Sequence, residues 1–258
     1  MEVVIVADAA AAGELAAARV AALVQGSPDA VLGVATGSSH LATYRALAAR
    51  RAAGLDLSRV SAFALDEYVG LEAGHPQSYR EVIDREVTVP LGLDPARVHV
   101  PAGAAADLAA ECARYERRIA TGGIDLQLLG IGANGHIGFN EPTSSLASRT
   151  RVKALSARTR ADNARFFASL DEVPTHCITQ GLGTILDADR VLLVATGERK
   201  AEAVAQMVEG PLSAMWPGSV LQLHRRASVV VDEAAAERLR LQDYYREAAA
   251  ASEALQGR

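Results

Sequence analysis

Six short apolar runs place the strongest constraint on how this chain can fold. They lie at residues 3–6, 30–34, 60–65, 126–129, 191–194 and 228–231. Apolar runs of this length, without polar alternation, are typical of parallel strands that are buried on both faces. Helical patterns lie between them, such as the apolar face of Ala16, Val20 and Val24. Because crossovers between parallel strands are right-handed, the alternation predicts an α/β fold: an open, doubly wound, mostly parallel sheet with helices on both faces.

Length and charge restrict the class of protein further. The 258 residues are close to the upper size of one α/β domain, so we expect a single domain over residues 1–258. No stretch approaches the roughly 20 apolar residues of a membrane span, and the first ten residues lack the basic segment of a signal peptide. We therefore expect a cytoplasmic protein that binds no membrane. The net charge of −5 also argues against general nucleic-acid binding.

The cysteines and histidines indicate no metal site. Cys112 and Cys177 stand far apart without a C-x-x-C pair, which favours neither a disulfide framework nor a thiolate metal site. No two histidines have the spacing of metal ligands. We therefore expect neither a metal nor a cofactor.

Ligands of a doubly wound sheet bind beyond the carboxyl ends of its strands, so the loops after the strands are the candidate site. The loop after the second strand, which opens a helix, consists of Thr36, Gly37, Ser38 and Ser39. Its N–H groups, hydroxyls and helix dipole suit a phosphate, although an ordinary capped helix uses the same residue types. It is not a Walker A loop, because no Lys follows the glycine at the required spacing.

Two adjacent acids, Asp66 and Glu67, follow the third strand. They fit a general base whose pKa is raised by partial burial and by a like-charged neighbour. A turn-forming Asp beside an exposed Glu is the alternative. Their place at the end of a buried strand favours the catalytic interpretation.

The loop after the fourth strand, residues 130–142, reads GIGANGHIGFNEP. Its first six residues match G-x-G-x-x-G, the fingerprint of a dinucleotide site. Gly138 disfavours the long helix that this fingerprint needs, and no acid follows where a ribose-binding carboxylate would be sought. The glycines instead expose Asn134, His136 and Glu141. Histidine titrates near neutral pH and a nearby carboxylate can orient it, so the pattern favours catalysis over a structural histidine.

Positive charge is concentrated directly after this loop. The twenty residues from Pro142 to Ala161 contain no acid and five cations, Arg149, Arg151, Lys153, Arg158 and Arg160. This stretch is either a solvated face or, beside a phosphate loop, an anion-binding segment. Lys200 follows the fifth strand in the first turn of a predicted helix. A cation there opposes the helix dipole, which suggests that it serves a ligand.

The loops together carry a specific series of segments: ATGSS, LDEYVGL, HPQSYR, GHIGFNEP, SSLASRTRVK, NARFF and LQLH. This series spans almost the whole chain and resembles the glucosamine-6-phosphate deaminase family, whose members convert glucosamine 6-phosphate and water into fructose 6-phosphate and ammonia. The resemblance implies a Rossmann-like fold. It also implies that Asp66 is the base that moves a proton between C2 and C1, and that His136, with Glu141 and Asn134, opens the pyranose ring.

The resemblance also implies two phosphate sites. The substrate phosphate would be held by Thr36, Gly37, Ser38, Ser39, Arg165 and Lys200. Allosteric members of the family bind N-acetylglucosamine 6-phosphate between the subunits of a hexamer, at positions that match Ser144, Arg151, Lys153 and Tyr244. We therefore expect a homohexamer activated by this effector, acting in N-acetylglucosamine catabolism.

Three positions depart from the family pattern. Asn134 stands where many members carry Asp, so it can orient the imidazole but lacks the charge that favours imidazolium. His40 stands where a proline often follows the phosphate loop, and we expect little consequence. Ala154 replaces a threonine of the effector site, which is therefore incomplete.

Two other functions compete with this assignment. A sugar-lactone hydrolase of the 6-phosphogluconolactonase type would share the fold and a similar Gly-His loop, but lactone hydrolysis does not call for a base at C2 such as Asp66. A non-catalytic sugar-phosphate sensor would be expected to carry a helix-turn-helix and has no reason to retain the catalytic residues as a set. The choice between glucosamine and galactosamine 6-phosphate stays open.

Overall fold

The computed structural model describes residues 1–256, and a seven-stranded sheet forms its centre. In chain order the strands are β1 (Glu2–Val6), β2 (Val31–Val34), β3 (Ser61–Ala64), β4 (Asp66–Tyr68), β5 (Val98–His99), β6 (Leu126–Leu129), β7 (Arg151–Ala154), β8 (His176–Thr179), β9 (Arg190–Ala195) and β10 (Ala227–Asp232). The order in the central sheet is β1-β10-β9-β6-β2-β3-β5, and every neighbouring pair in it is parallel. All six predicted strands lie in this sheet, which confirms the predicted fold class.

Helices cover both faces of the central sheet. In chain order they are α1 (Ala9–Gly26), α2 (Ser38–Ala52), α3 (Tyr79–Ile83), α4 (Val89–Leu91), α5 (Leu108–Gly122), α6 (Ala157–Asn163), α7 (Leu182–Leu186), α8 (Ala201–Val208), α9 (Glu233–Ala236) and α10 (Gln242–Gln256). Successive strand residues point to opposite faces. Leu128 therefore packs with α1 and α2, whereas Leu129 packs with α5, α7 and α8.

A second, three-stranded sheet with the order β4-β8-β7 departs from the sequence prediction. Its strands are antiparallel. The chain leaves the central sheet after Ala64, and the Leu65 carbonyl accepts a hydrogen bond from the Gln180 N–H at 2.8 Å. Asp66 and Glu67, expected in a loop, therefore begin a new strand, and the basic stretch contributes Arg151 and Lys153 to β7.

None of the helices within residues 1–256 is long and apolar enough to cross a membrane.

Candidate active site

Three loops lie side by side at the carboxyl edge of the central sheet, because β9, β6 and β2 are adjacent in its order. The loop after β2 contains Thr36 and opens α2, the loop after β6 begins at Gly130, and the loop after β9 leads to Lys200. The loops that the sequence singles out are therefore neighbours. This edge is where doubly wound sheets bind their ligands.

The loop before α2 presents free hydrogen-bond donors. Gly37 is the N-cap of α2 at φ 111°, and no side chain caps the helix. An ordinary cap would use a Ser or Thr oxygen to accept one of the first N–H groups. Here the N–H groups and the hydroxyls of Ser38 and Ser39 stay available for an anion. Burial raises the pKa of the Tyr79 hydroxyl well above its usual value, whereas the nearby Thr36 side chain lowers it.

Two cations, Lys200 and Arg165, approach the same edge. Lys200 Nζ donates to the Ile131 carbonyl at 2.6 Å, so it spans from its own loop to the loop after β6. Burial lowers the pKa of Lys200, nearby Asp162 raises it, and nearby Arg165 lowers it. Arg165 lies in the 3₁₀ turn Ala164–Phe166, with its guanidinium carbon 4.7 Å from the centre of the Phe166 ring. Positive charge is thus concentrated where an otherwise acidic chain would need it to hold a phosphate.

The imidazole of His136 packs against the backbone of its own loop. The Gly132 N–H donates to the His136 carbonyl at 2.8 Å. A methyl group at Gly132 would lie 2.3 Å from His136 Nε2, so only glycine leaves room for the ring. The glycine pattern that resembled a dinucleotide fingerprint therefore leaves space for the side chain of His136.

Glu141 lies beside His136 and stays ionised. Asn134 Nδ2 donates to Glu141 Oε2 at 2.7 Å, and Asn134 Oδ1 accepts the His136 N–H at 3.2 Å. His136 Nδ1 is 3.7 Å from the same Glu141 oxygen, which is too long for a formed hydrogen bond. Burial by itself raises the pKa of Glu141, but His136, Thr159 and Asn134 outweigh it and bring the value to about 2.

Asp66 has the opposite electrostatic environment. It is 7% exposed, and burial, followed by the charge of Glu67, raises its pKa well above the usual range. Glu67 points to the other face of β4 and accepts backbone N–H bonds from Tyr68, Tyr79 and Arg80 at 2.8, 2.8 and 2.9 Å. The two adjacent acids therefore have different roles: Glu67 anchors α3, and Asp66 faces the site.

Asp66 and the His136 loop meet at Gly138. This glycine has a positive φ of 53°, and a methyl group there would lie 3.7 Å from Asp66 Oδ2 and 3.0 Å from Thr179 Oγ1. Thr179 pairs with Asp66 across β4 and β8 and accepts the Phe139 N–H at 3.0 Å. A buried, protonatable carboxyl group and an imidazole–carboxylate pair thus lie on either side of Gly138. This arrangement can open a sugar ring on one side and move a carbon-bound proton on the other.

The family comparison agrees with this geometry. A profile described as glucosamine-6-phosphate isomerases/6-phosphogluconolactonase matches residues 6–231. The chain belongs to this family.

Relatives within the family resemble the chain over nearly its full length. It is 61% identical to a glucosamine-6-phosphate deaminase of Pseudarthrobacter chlorophenolicus over 95% of each chain, and 60% identical to that of Arthrobacter sp. strain FB24 over 100% of each. A solved structure described as a monomeric glucosamine-6-phosphate deaminase has a TM-score of 0.90 at 41% identity, covering 92% of this chain and 100% of its own. A 6-phosphogluconolactonase from Leishmania guyanensis, at 19% identity and a TM-score of 0.73, shares the fold.

His40 occupies a buried position in the first turn of α2. It is 1% exposed, and neither ring nitrogen has a hydrogen-bond partner among the described residues. A methyl group at Gly130 would lie 3.3 Å from its Nε2. Burial lowers the pKa of His40 to about 4, so the ring is neutral at physiological pH and adds no charge to the loop.

The four residues matched to an effector site lie on different parts of the chain. Ser144 is buried, Arg151 and Lys153 lie on β7, and Tyr244 is 62% exposed on α10. α10 packs against β1, which lies five strand spacings, or about 24 Å, from β3, the strand that continues into the second sheet. Tyr244 therefore lies on a helix at the β1 edge, whereas Arg151 and Lys153 lie on the second sheet, which follows β3.

The sequence did not single out several polar residues that surround the catalytic groups. They are Tyr79, Ser156, Thr159, Asn163 and Thr179. Ser156 and Thr159 have the spacing of a helix cap and its first turn, which predicts a helix start but not its contact with Glu141. The others carry no signal beyond ordinary strand and helix residues.

Proposed function

We propose that this chain is a glucosamine-6-phosphate deaminase, converting glucosamine 6-phosphate and water into fructose 6-phosphate and ammonia, with residues 1–258 acting as one domain. The observation that carries the proposal is the placement of Asp66 opposite the His136–Glu141 pair across Gly138, beside an uncapped helix and two cations. Relatives at about 60% identity that bear this name support it.

The substrate phosphate binds first at the edge formed by α2. Its oxygens accept from the N–H groups and hydroxyls of the Thr36–Gly37–Ser38–Ser39 loop, whose helix has no side-chain cap. Lys200 and Arg165 neutralise its charge. The two cations repel each other in the free enzyme, and the bound phosphate dianion relieves this repulsion. The relief favours phosphate binding at this place.

Ring opening is assigned to His136. The imidazole takes the proton of the C1 hydroxyl and delivers a proton to the ring oxygen, so that the C1–O bond breaks and C1 becomes an aldehyde. Glu141 stays a carboxylate throughout, because its pKa is about 2. It orients the ring and stabilises the imidazolium, while Asn134 fixes the carboxylate.

Isomerisation is assigned to Asp66. The new aldehyde acidifies the proton on C2, which the Asp66 carboxylate removes while the aldehyde oxygen takes up a proton from water, leaving an enol amine. The same carboxyl group then returns its proton to C1. The product is an imine at C2; water adds there and ammonia leaves. A raised pKa makes Asp66 a stronger base when ionised and lets it hold the proton between the two steps. No metal is needed for any of these steps.

We further propose that the protein acts in the cytoplasm, in N-acetylglucosamine catabolism. We also propose that it forms a homohexamer that N-acetylglucosamine 6-phosphate activates. Burial lowers the pKa of Arg151, and no carboxylate pairs with this side chain among the described residues. An anionic effector would supply the missing negative charge. The exposed ring of Tyr244 on α10 offers a contact to a second subunit. Because a 41% identical enzyme is described as monomeric, the number of subunits in this protein is to be measured directly.

The test is an assay of the purified protein with glucosamine 6-phosphate, galactosamine 6-phosphate and 6-phosphogluconolactone in parallel. Ammonia and fructose 6-phosphate should form in equal amounts from the first, without lactone hydrolysis. Lactonase activity without ammonia release would overturn the proposal in favour of the lactonase branch of the family. Sedimentation and rate measurements with N-acetylglucosamine 6-phosphate check the hexamer and the effector; hyperbolic kinetics that the effector leaves unchanged would contradict activation.

A further inference from the structure

The first turn of α6 grips one oxygen of Glu141. Ser156, the cap of this helix, donates from its N–H at 3.3 Å and from its hydroxyl at 3.1 Å to Glu141 Oε1, and the Thr159 hydroxyl donates to the same oxygen. The other oxygen, Oε2, faces Asn134 and His136. Thr159 is buried at 4% exposure. The helix therefore determines which carboxylate oxygen the histidine meets.

The last turn of α6 reaches the strand of Asp66. Asn163 Nδ2 donates to the Tyr68 hydroxyl at 3.0 Å, and the ring of Phe167, four residues further on, meets Tyr68 edge-on at 5.8 Å between ring centres. Tyr68 and Asp66 are two residues apart on β4, so their side chains lie on the same face. A contact to Tyr68 is thus a contact to the strand that carries the base.

The two contacts come from one face of one short helix. Thr159 and Asn163 are four residues apart, which places them on the same side of α6 and about 6 Å apart along its axis. A shift of α6 would move Glu141 and the contact to β4 together.

We propose that Thr159 and Asn163 are positioning residues of the deaminase reaction, which hold the ring-opening carboxylate and the strand of the base in one fixed geometry around the bound sugar. The inference rests on the proposed function. Thr159 acts through Glu141, by presenting Oε2 to His136. Asn163 acts through Tyr68, by holding β4 against the His136 loop. Helix α6 therefore couples the two chemical steps to each other.

Paired variants of Thr159 test the first contact. Thr159→Val keeps the branched shape and removes the hydroxyl, and Thr159→Ser keeps the hydroxyl. We expect Thr159→Val to lower kcat about tenfold or more through misplacement of a catalytic group, while Thr159→Ser restores most of it. Binding of 2-amino-2-deoxyglucitol 6-phosphate, an open-chain analogue that needs no ring opening, should stay unchanged. An unchanged kcat in Thr159→Val, an equal loss in Thr159→Ser, or a matching loss of analogue binding would overturn the inference.

The isotope effect of substrate deuterated at C2 separates the two ends of the helix. Thr159→Val slows ring opening and should lower the isotope effect, because the proton transfer then limits the rate less. Asn163→Leu, which removes the amide at similar size, slows proton transfer and should raise it. Changes of the same sign in both variants would contradict separate contacts to the two steps.

A titration of the Glu141 carboxyl group by ¹³C NMR needs no activity and keeps this inference separable from the proposed function. Loss of the Thr159 hydroxyl removes a hydrogen bond to the charged form, so the pKa of Glu141 should rise from about 2 in Thr159→Val. Ser156→Ala should act in the same direction and replaces Thr159→Val if that variant does not fold. An unmoved titration refutes the inference even in an active deaminase, whereas a wild-type protein that releases no ammonia refutes the proposed function alone.

Discussion

Replacing Asp66 by Asn should remove activity and at the same time stabilise the protein. The amide cannot accept the C2 proton, and no other carboxylate can substitute, because Glu67 faces away and is held by three backbone N–H groups. A positioned general base contributes roughly 10²- to 10⁴-fold to the rate. We therefore expect kcat to fall by that factor, which corresponds to about 3 to 5 kcal/mol in the activation barrier.

The stability change has a defined pH dependence. The pKa of Asp66 is raised in the folded protein, so its contribution to stability is present at low pH and is lost as the pH rises through the folded-state value. Asn carries no charge at any pH. The melting temperature of Asp66→Asn should therefore exceed that of the wild type by an amount that grows with pH, starting above the ordinary Asp value of about 3.9.

The assays are kcat from ammonia release and thermal unfolding between pH 4 and 8, with Glu67→Gln as the matched control. Glutamine loses one acceptor oxygen for backbone N–H groups, so this variant should lose about 1 to 3 kcal/mol of stability while retaining kcat. The reasoning about Asp66 is refuted if Asp66→Asn keeps more than about a tenth of the wild-type kcat or unfolds at a lower temperature across the range.

Three further predictions concern the other groups of the site. Gly132→Ala should lower kcat about 100-fold with a small change in KM, because the methyl displaces the His136 ring; retained kcat would contradict the packing argument. Lys200→Met should raise KM about 10- to 150-fold, as loss of a charged hydrogen bond does, and should weaken inhibition by inorganic phosphate; unchanged KM would exclude a phosphate contact. Asn134→Asp should move the basic limb of the pH–rate profile upward, since a second carboxylate favours the imidazolium; an unmoved limb would count against that role.

The central sheet could be predicted because its strands are buried on both faces. Such strands need continuous apolar runs, and six of the seven show them. The exception is β5, whose two residues Val98 and His99 are too few to form a run. Strand length therefore limited the prediction of the central sheet.

The second sheet could not be predicted, because its strands lack that signal. β4 begins with two acids, and β7 alternates Arg151 and Lys153 with apolar neighbours. Within the second sheet, β4 pairs with β8, which lies more than 100 residues later in the chain. Local pattern carries no information about such a partner, so the basic stretch was interpreted by its charge alone.

The sequence predicted the loops of the candidate site but not the contacts between them. His136 and Glu141 stand out because a glycine-rich loop after a buried strand has few structural reasons to carry them. Their division of roles with Asp66 came from the family resemblance. The contacts of Thr159 and Asn163 arise only when α6 folds back over two strands, and hydroxyl and amide side chains on a helix are otherwise unremarkable.

The most direct test of the account follows hydrogen from C2 of the substrate. Glucosamine 6-phosphate deuterated at C2 is converted by the wild-type protein, ammonia is measured, and the fructose 6-phosphate is analysed by NMR for deuterium at C1. A single carboxyl group that is 7% exposed should exchange slowly with water and carry part of the label from C2 to C1, with one ammonia released per ketose. Ammonia without fructose 6-phosphate, or a ketose whose new C1 hydrogen comes entirely from solvent, would contradict transfer by a buried Asp66.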